Sequence, residues 1–217
     1  IGGWPIYLLF YVLFVGLHLL GAGEALKIMF AITAIAVVAL IVFIVGMAPH
    51  FNMNNLFDIP VTQAAGASEF LPFGYVGIWA AIPYAIWFFL AVEGVPLAAE
   101  ETKNPSRDLP RGLMGAVIIL LAFALLILVL GPGAAGTDAL KAAGDPLVLG
   151  LKKAYGGSTW MSSFVNVVGL AGLIASFFSI IYAYSRQIFA LSRAGYLPRA
   201  LSLTNTNKTP TWALVIP

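Results

Sequence analysis

Long apolar runs separated by shorter polar segments dominate this chain. Five runs cover residues 5–20, 28–48, 73–99, 113–130 and 160–190, and a further run opens at Trp212. Asp108 and Pro110 are expected to open the fourth helix, and residues 145–155 are expected to form a short amphipathic helix at the surface. A helix that crosses a bilayer needs about 20 mostly apolar residues, and the runs come close to or exceed that length. The pattern therefore predicts an all-α, multi-pass integral membrane protein whose 217 residues form one transmembrane domain.

Composition supports a membrane location and restricts the chemistry. Hydrophobic residues make up 61% of the chain and charged residues only 9%, against about 25% charged in soluble domains. The chain has no cysteine, which excludes disulfides, thiolate metal sites and cysteine nucleophiles. An intramembrane enzyme fits poorly, because the two histidines lie far apart and no serine sits in a recognisable nucleophile motif. We expect no metal, cofactor or nucleic-acid partner.

The two ends of the sequence suggest a piece of a longer protein. The chain begins at Ile1 without a methionine, and its first apolar run is already under way at Trp4. It stops at Pro217, a few residues into another apolar run. We interpret it as an internal fragment.

The third apolar run contains the most informative stretch, WFFLAVEGVPLAAEETKNPSRDLPR, which begins at Trp87. Pro96 has no N–H for the carbonyl of Val92, and Gly94 removes the side-chain bias toward helix. We therefore predict a helix break near Glu93. Inside a membrane, freed backbone groups and a carboxylate are tolerated where protein or a water-filled cavity receives them, so the break is a candidate solute site. The alternative is a plain proline kink with Glu93 reaching toward the surface.

The residue types around this break suit a cation. A half-helix that ends in free carbonyls presents partial negative charge, and Glu93 adds a full charge. An organic ammonium group is the solute group that such a segment would bind. The rings of Trp87, Phe88 and Phe89 add cation–π contacts of roughly 0.5–2 kcal/mol. The alternative for these rings is core packing or lipid contact, which we favour for Phe89.

The fifth run carries small residues at steps of three and four, which places them on one helical face. Close packing against another helix explains such a stripe, because small side chains let backbones approach in membranes. Alternatively, Ser176 and Ser179 face a polar cavity and line the substrate site. The stripe consists of Gly169, Gly172, Ser176, Ser179 and Ala183.

His18 is a polar side chain inside the first apolar run. It is a candidate proton carrier or solute contact, or else it lies near the membrane interface or bonds a neighbouring helix.

Basic residues between the runs predict the orientation of the chain in the membrane, because Lys and Arg concentrate on the cytoplasmic side. Eight of the eleven Lys and Arg residues, among them Lys27 in the loop after the first run, fall on one side if the spans alternate. The segment after the third run is therefore predicted to be cytoplasmic.

Two segments resemble a known family. The stretch from Trp87 through EETKNPSRDLPRG resembles the sixth helix and following loop of transporters in the amino acid, polyamine and organocation superfamily. The stretch RQIFALSRAGYLPRALSLTNTNKTPTWAL resembles the end of the eighth helix and the onset of the ninth. With the opening GGWPIYLLFYVLFVGLHLLGAGEALKIMF, the chain is most similar to bacterial ethanolamine permeases within that superfamily.

The resemblance implies a leucine-transporter-like fold of inverted repeats, of which this chain supplies about helices four to eight and the start of nine. It implies a secondary active transporter in the cytoplasmic membrane that moves a small organic amine, with ethanolamine as the leading substrate, by alternating access. Coupling to a proton or another cation is consistent with this. The alternatives are an amino acid permease of the same superfamily and, outside transport, a structural or sensor membrane subunit.

The resemblance also assigns roles at the break by position. Many proton-coupled members carry a lysine midway along the fifth helix, and here that region reads Thr33-Ala34-Ile35, which argues against coupling through such a lysine. Trp87 resembles the aromatic residue that closes the site from outside, and Glu93 resembles an acid used in gating or coupling. The expected substrate-binding set is Trp87, Phe88, Leu90, Ala91, Val92, Glu93, Gly94, Ser176 and Ser179, in which Leu90, Ala91 and Val92 resemble the unwound segment.

Overall fold

Helices form nearly all of the regular structure of this chain. A computed structural model describes residues 3–20, 22–90, 92–141 and 143–216, with the side chains of residues 22–25, 93, 98, 100 and 101 outside the description. The α-helices are α1 (Trp4–Leu19), α2 (Ala22–Met47), α3 (Gly74–Phe88), α4 (Pro105–Ala135), α5 (Thr137–Leu140), α6 (Pro146–Ala154), α7 (Trp160–Arg193) and α8 (Thr211–Val215). A 3₁₀ helix, Val92–Glu101, follows α3.

Three of these helices have the length and apolarity that a membrane span requires. They are α2 with the 3₁₀ turn that follows it, counted over Leu26–His50, then α4 over Pro105–Ala135 and α7 over Trp160–Arg193, with 25, 31 and 34 residues. The apolar helices α1 and α3 are shorter, at 16 and 15 residues. The predicted all-α architecture is thus confirmed over the described residues.

Two helix starts differ from the prediction. We expected Asp108 and Pro110 to open the fourth helix, but α4 begins at Pro105. The carbonyl of Asn104 accepts hydrogen bonds from the N–H groups of Arg107 and Asp108, and proline is well suited to a first helical position because it needs no donor there. Similarly, α2 begins at Ala22, so Lys27 lies inside a helix and not in the preceding loop.

The chain divides into two compact units. One unit comprises Ile1–Ala36, Gly94–Leu109 and Leu170–Pro217. Its core joins α1, α7 and α8, and the rings of Phe14 and Phe178 meet edge to face at 5.3 Å. The side-chain amides of Asn205 and Asn207 donate to the carbonyl of Leu19 at 3.2 and 3.0 Å, which satisfies a carbonyl at the end of α1 that has no intrahelical donor.

The second unit comprises Val37–Glu93 and Pro110–Gly169. Its core contains Phe43 and Met47 of α2, packed against Leu151 of α6. The sequence predicted a short amphipathic helix from Asp145 to Tyr155, and α6 confirms it, because Leu151 is buried while Lys152 is exposed.

Candidate functional site

The predicted break in the third span is present, and it begins earlier than expected. Helix α3 ends at Phe88. The next two N–H groups, of Phe89 and Leu90, bond the carbonyls of Ile86 and Trp87 three residues back, at 3.1 and 3.2 Å. The α-helical bonding pattern has therefore tightened about four residues before Glu93.

The segment after the break is a 3₁₀ helix of ten residues, Val92–Glu101, with Pro96 inside it. Runs of 3₁₀ helix longer than three or four residues are uncommon, and such a run within a helical span often marks a functional hinge. In a 3₁₀ helix each N–H bonds the carbonyl three residues back. Pro96 therefore withholds a donor from the carbonyl of Glu93 itself, whereas in the predicted α-helix it would have been that of Val92.

The aromatic and aliphatic residues before the break are accessible. Trp87 is 74% exposed and Leu90 is 54% exposed, while Phe88 and Phe89 meet edge to face at 5.8 Å. Of the described α3 residues, Gly74 alone is buried. An apolar groove runs along the last turns of α3, and its lining residues are Ile82, Ala85, Ile86, Phe89 and Leu90.

The residues at the break itself are placed by their backbone. Val92 and Gly94 are half-buried, and a methyl group at Gly94 would meet no atom within 4 Å. All of Ala91 and the side chain of Glu93 lie outside the described residues.

Ser176 and Ser179 lie on α7, in the first compact unit. The Ser179 hydroxyl donates to the carbonyl of Ala175 at 2.8 Å, a bond to its own helix one turn back. Ser176 is exposed. A methyl group at Gly172 would meet no atom within 4 Å. Among the described residues, no other helix therefore packs closely against this part of the stripe.

Helix α7 packs through a different face. Phe178 and Ile181 are almost completely buried, at 1% and 0% exposure. The ring of His18 lies against Phe178 with centroids 4.1 Å apart. His18 is therefore a buried residue within α1 and α7 packing, which the sequence did not distinguish from an interfacial one.

A cluster of tyrosine hydroxyls was also missed from sequence. Tyr11 and Tyr184 both donate to the carbonyl of Leu214, at 3.1 and 3.0 Å. The sequence shows only that a tyrosine lies in an apolar run. This indicates a hydrogen-bond partner for its hydroxyl, because a buried tyrosine hydroxyl usually has one. Sequence spacing could not identify that partner, since Tyr11 and Leu214 are 203 residues apart.

Comparison with known proteins gives one family and several relatives. Residues 3–216 match the family described as amino acid permease. An uncharacterized transporter of Rhizobium meliloti is 33% identical over 82% of this chain and 37% of its own length. The branched-chain amino acid permease BcaP of Bacillus subtilis is 25% identical over 89% of this chain and 40% of its own. The aromatic amino acid transport protein AroP of Escherichia coli K12 is 26% identical over 85% and 40%.

The chain therefore spans about two fifths of the length of the curated relatives it matches, with 37% to 40% of each covered. No solved structure matches the chain.

Proposed function

The chain belongs to the amino acid permease family, and from this premise we propose that the whole protein is a secondary active transporter of a small amine-bearing solute. The three long apolar helices and the family together indicate a multi-pass membrane protein. We place it in the cytoplasmic membrane, with the segment after the third span on the cytoplasmic side. Alternating access of the solute site to the two sides then carries the solute across.

The observation that carries this proposal is the break between α3 and the 3₁₀ helix Val92–Glu101. The carboxyl end of α3 carries partial negative charge, and Glu93 follows it by five residues. In a span, a carboxylate costs roughly 2.5–3.5 kcal/mol on insertion scales, so it is expected to have a partner. A transported ammonium group or a proton supplies that partner.

The aromatic side chains before the break support the same solute. Trp87 lies in the last turn of α3, before Glu93 in the chain. A cation within about 6 Å of such a ring gains roughly 0.5–2 kcal/mol, most when water is excluded. Trp87 thus acts in this proposal as the aromatic wall of the site, next to the acid at Glu93.

Two solute classes remain in competition. An amino acid is supported by the names of two relatives, a branched-chain amino acid permease and an aromatic amino acid transport protein. The apolar groove along α3 would suit the side chain of such a substrate. Ethanolamine is supported by the resemblance of the opening segment to ethanolamine permeases and by the acid at Glu93. The two differ in the carboxylate, which an amino acid permease must hold with a positive group such as a helix N-terminus.

Uptake into proteoliposomes that contain the full-length protein separates these classes. Labelled leucine, phenylalanine and ethanolamine are offered singly, and each is then challenged with the others unlabelled. An amino acid permease accumulates an amino acid and is not inhibited by ethanolamine, whereas an ethanolamine permease shows the reverse. Imposed proton and sodium gradients identify the coupled cation. Absence of saturable uptake for all three solutes, in vesicles where the protein is correctly folded, would contradict the proposal.

A further inference from the structure

A small polar cavity lies inside the first compact unit, between α1, α7 and the segment that leads into α8. Its volume is about 10 Å³, which is close to the space that a single water molecule requires. It is a partly open recess lined by residues from all three elements. They are His18, Tyr182, Ser185, Arg186, Thr209 and Pro210, with Leu214 at one edge.

One nitrogen of His18 faces inward without a protein partner. The ring is only 3% exposed, and Nδ1 contacts the carbonyl oxygen of Phe14 at 2.7 Å. A carbonyl oxygen only accepts, so Nδ1 carries the hydrogen of that bond. Nε2 is buried, and no protein atom among the described residues bonds it. In the neutral ring Nε2 is therefore an acceptor that needs a donor.

The serine and threonine hydroxyls that line the cavity already donate their hydrogens to backbone carbonyls. The Ser185 hydroxyl donates to the carbonyl of Tyr182 at 2.8 Å, and the Thr209 hydroxyl donates to the carbonyl of Asn207 at 3.3 Å. Both hydroxyl oxygens still have lone pairs to accept with. The guanidinium of Arg186 lies over the Tyr182 ring, 5.3 Å from its centroid. It is the charged group that lines the cavity.

We propose that this cavity binds one ordered water molecule, which donates a hydrogen bond to Nε2 of His18. Its second hydrogen goes to a hydroxyl oxygen of Ser185 or Thr209, both of which line the cavity. Buried waters characteristically make two to four such bonds to groups that have no protein partner. Through these two bonds the water links α1 either to α7 or to the segment before α8.

The size and chemistry of the cavity select water over other ligands. An organic solute needs far more than about 10 Å³. A halide ion has no hydrogen to donate, so it leaves the Nε2 acceptor unsatisfied. Water fits the space and supplies a donor, whereas the guanidinium of Arg186 in the lining disfavours a cation such as ammonium.

The test uses the full-length protein. An experimental structure that resolves ordered water is expected to show one water within about 2.7–3.2 Å of Nε2. Nitrogen-15 NMR of the histidine rings is expected to show His18 neutral, with its hydrogen on Nδ1. The His18 signals are assigned by their loss in His18→Phe. The control His50→Phe changes the other histidine, whose ring lies against Tyr155 at 4.4 Å in the other unit, and it leaves the His18 signals in place.

His18→Phe also gives a stability readout. His18→Phe keeps a ring against Phe178 but removes the acceptor, so a bound water loses its partner and the unfolding temperature falls by roughly 2–4 °C. If Nε2 is instead an unsatisfied buried acceptor, the substitution removes that penalty and the temperature rises. A rise, a dry cavity in a map that shows other buried waters, a direct protein donor to Nε2, or a doubly protonated ring would each overturn the proposal.

Discussion

The hydroxyl of Tyr184 donates a hydrogen bond to the carbonyl oxygen of Leu214 at 3.0 Å, which ties α7 to α8. Tyr11 of α1 donates to the same oxygen at 3.1 Å, and the two hydroxyls are 3.4 Å apart. Three helices of one unit therefore meet at a single carbonyl. Because either tyrosine alone can satisfy that oxygen, their contributions to stability should not add.

We predict that Tyr11→Phe and Tyr184→Phe each lower the free energy of unfolding by about 0.5–1.5 kcal/mol. The double variant should lose more than the sum, by at least about 0.5 kcal/mol, because it leaves a buried carbonyl unpaired. Denaturant or thermal unfolding of the full-length protein in detergent measures this cycle. Tyr7→Phe is the matched control, since Tyr7 lies on α1 but is 71% exposed. Strict additivity would show that the two hydroxyls act independently.

A second prediction concerns Gly136, whose φ of +92° lies in a region that favours glycine. A methyl group there would come within 2.7 Å of a carboxylate oxygen of Asp58. That carboxylate also accepts from the N–H of Asp138 at 2.9 Å, so it cannot move without losing a bond. We predict that Gly136→Ala lowers the free energy of unfolding by about 1–3 kcal/mol.

Gly112 provides the control for this substitution. It lies inside α4, and a methyl group there meets no atom within 4 Å. Gly112→Ala should be neutral or stabilise by up to about 1 kcal/mol, since alanine favours helix. Equal losses of stability for the two variants would mean that the conformation at Gly136 imposes no special demand.

The third prediction is the orientation of the chain. Lys103 follows the broken span, and Lys152 lies on α6, and both side chains are exposed. If basic residues mark the cytoplasmic side, a membrane-impermeant thiol reagent added to intact cells should label Lys152→Cys and leave Lys103→Cys unlabelled until the cells are opened. We likewise expect Glu100, Glu101 and Arg107 at that cytoplasmic interface, away from the solute. The opposite labelling pattern would invert the topology.

The apolar runs predicted the helices well because hydrophobic length is a property of the sequence alone. The first and last runs match α1 and α7 to within a few residues. Helix ends were less predictable, because local hydrogen bonds decide them. The carbonyl of Asn104 accepts from the N–H groups of Arg107 and Asp108, so α4 begins at Pro105, before the expected Asp108. At α3 the last α-helical residue is Phe88. The N–H groups of Phe89 and Leu90 bond carbonyls three residues back, so the α-helix ends well before Pro96.

Partners that are distant in sequence could not be predicted. The stripe of Gly169, Gly172 and Ser176 had the spacing of a packed face, yet the buried face of α7 includes Phe178 and Ile181. Helical periodicity shows which residues share a face but not which face another helix covers. For the same reason the sequence placed Glu93 at a break and could not say what its carboxylate meets.

Glu93, the acid at the break, is proposed to act directly on the solute or on its coupled cation. Glu93→Gln keeps the shape and much of the hydrogen-bonding capacity of the side chain but removes its charge. We predict that the full-length variant reaches the membrane at normal levels and keeps its unfolding temperature. Its transport should fall by at least about tenfold, which corresponds to about 1.4 kcal/mol of lost interaction.

Glu69→Gln is the matched control, because Glu69 is an exposed acid in the loop before α3 and the substitution is chemically identical. The decisive measurement is initial-rate uptake of the preferred solute as a function of external pH, for the wild type and both variants. The account predicts that Glu69→Gln follows the wild type while Glu93→Gln loses most of its uptake or its dependence on pH. Uptake by Glu93→Gln at the wild-type rate with an unchanged pH profile would contradict it, and would leave the break between α3 and the 3₁₀ helix as a structural feature only.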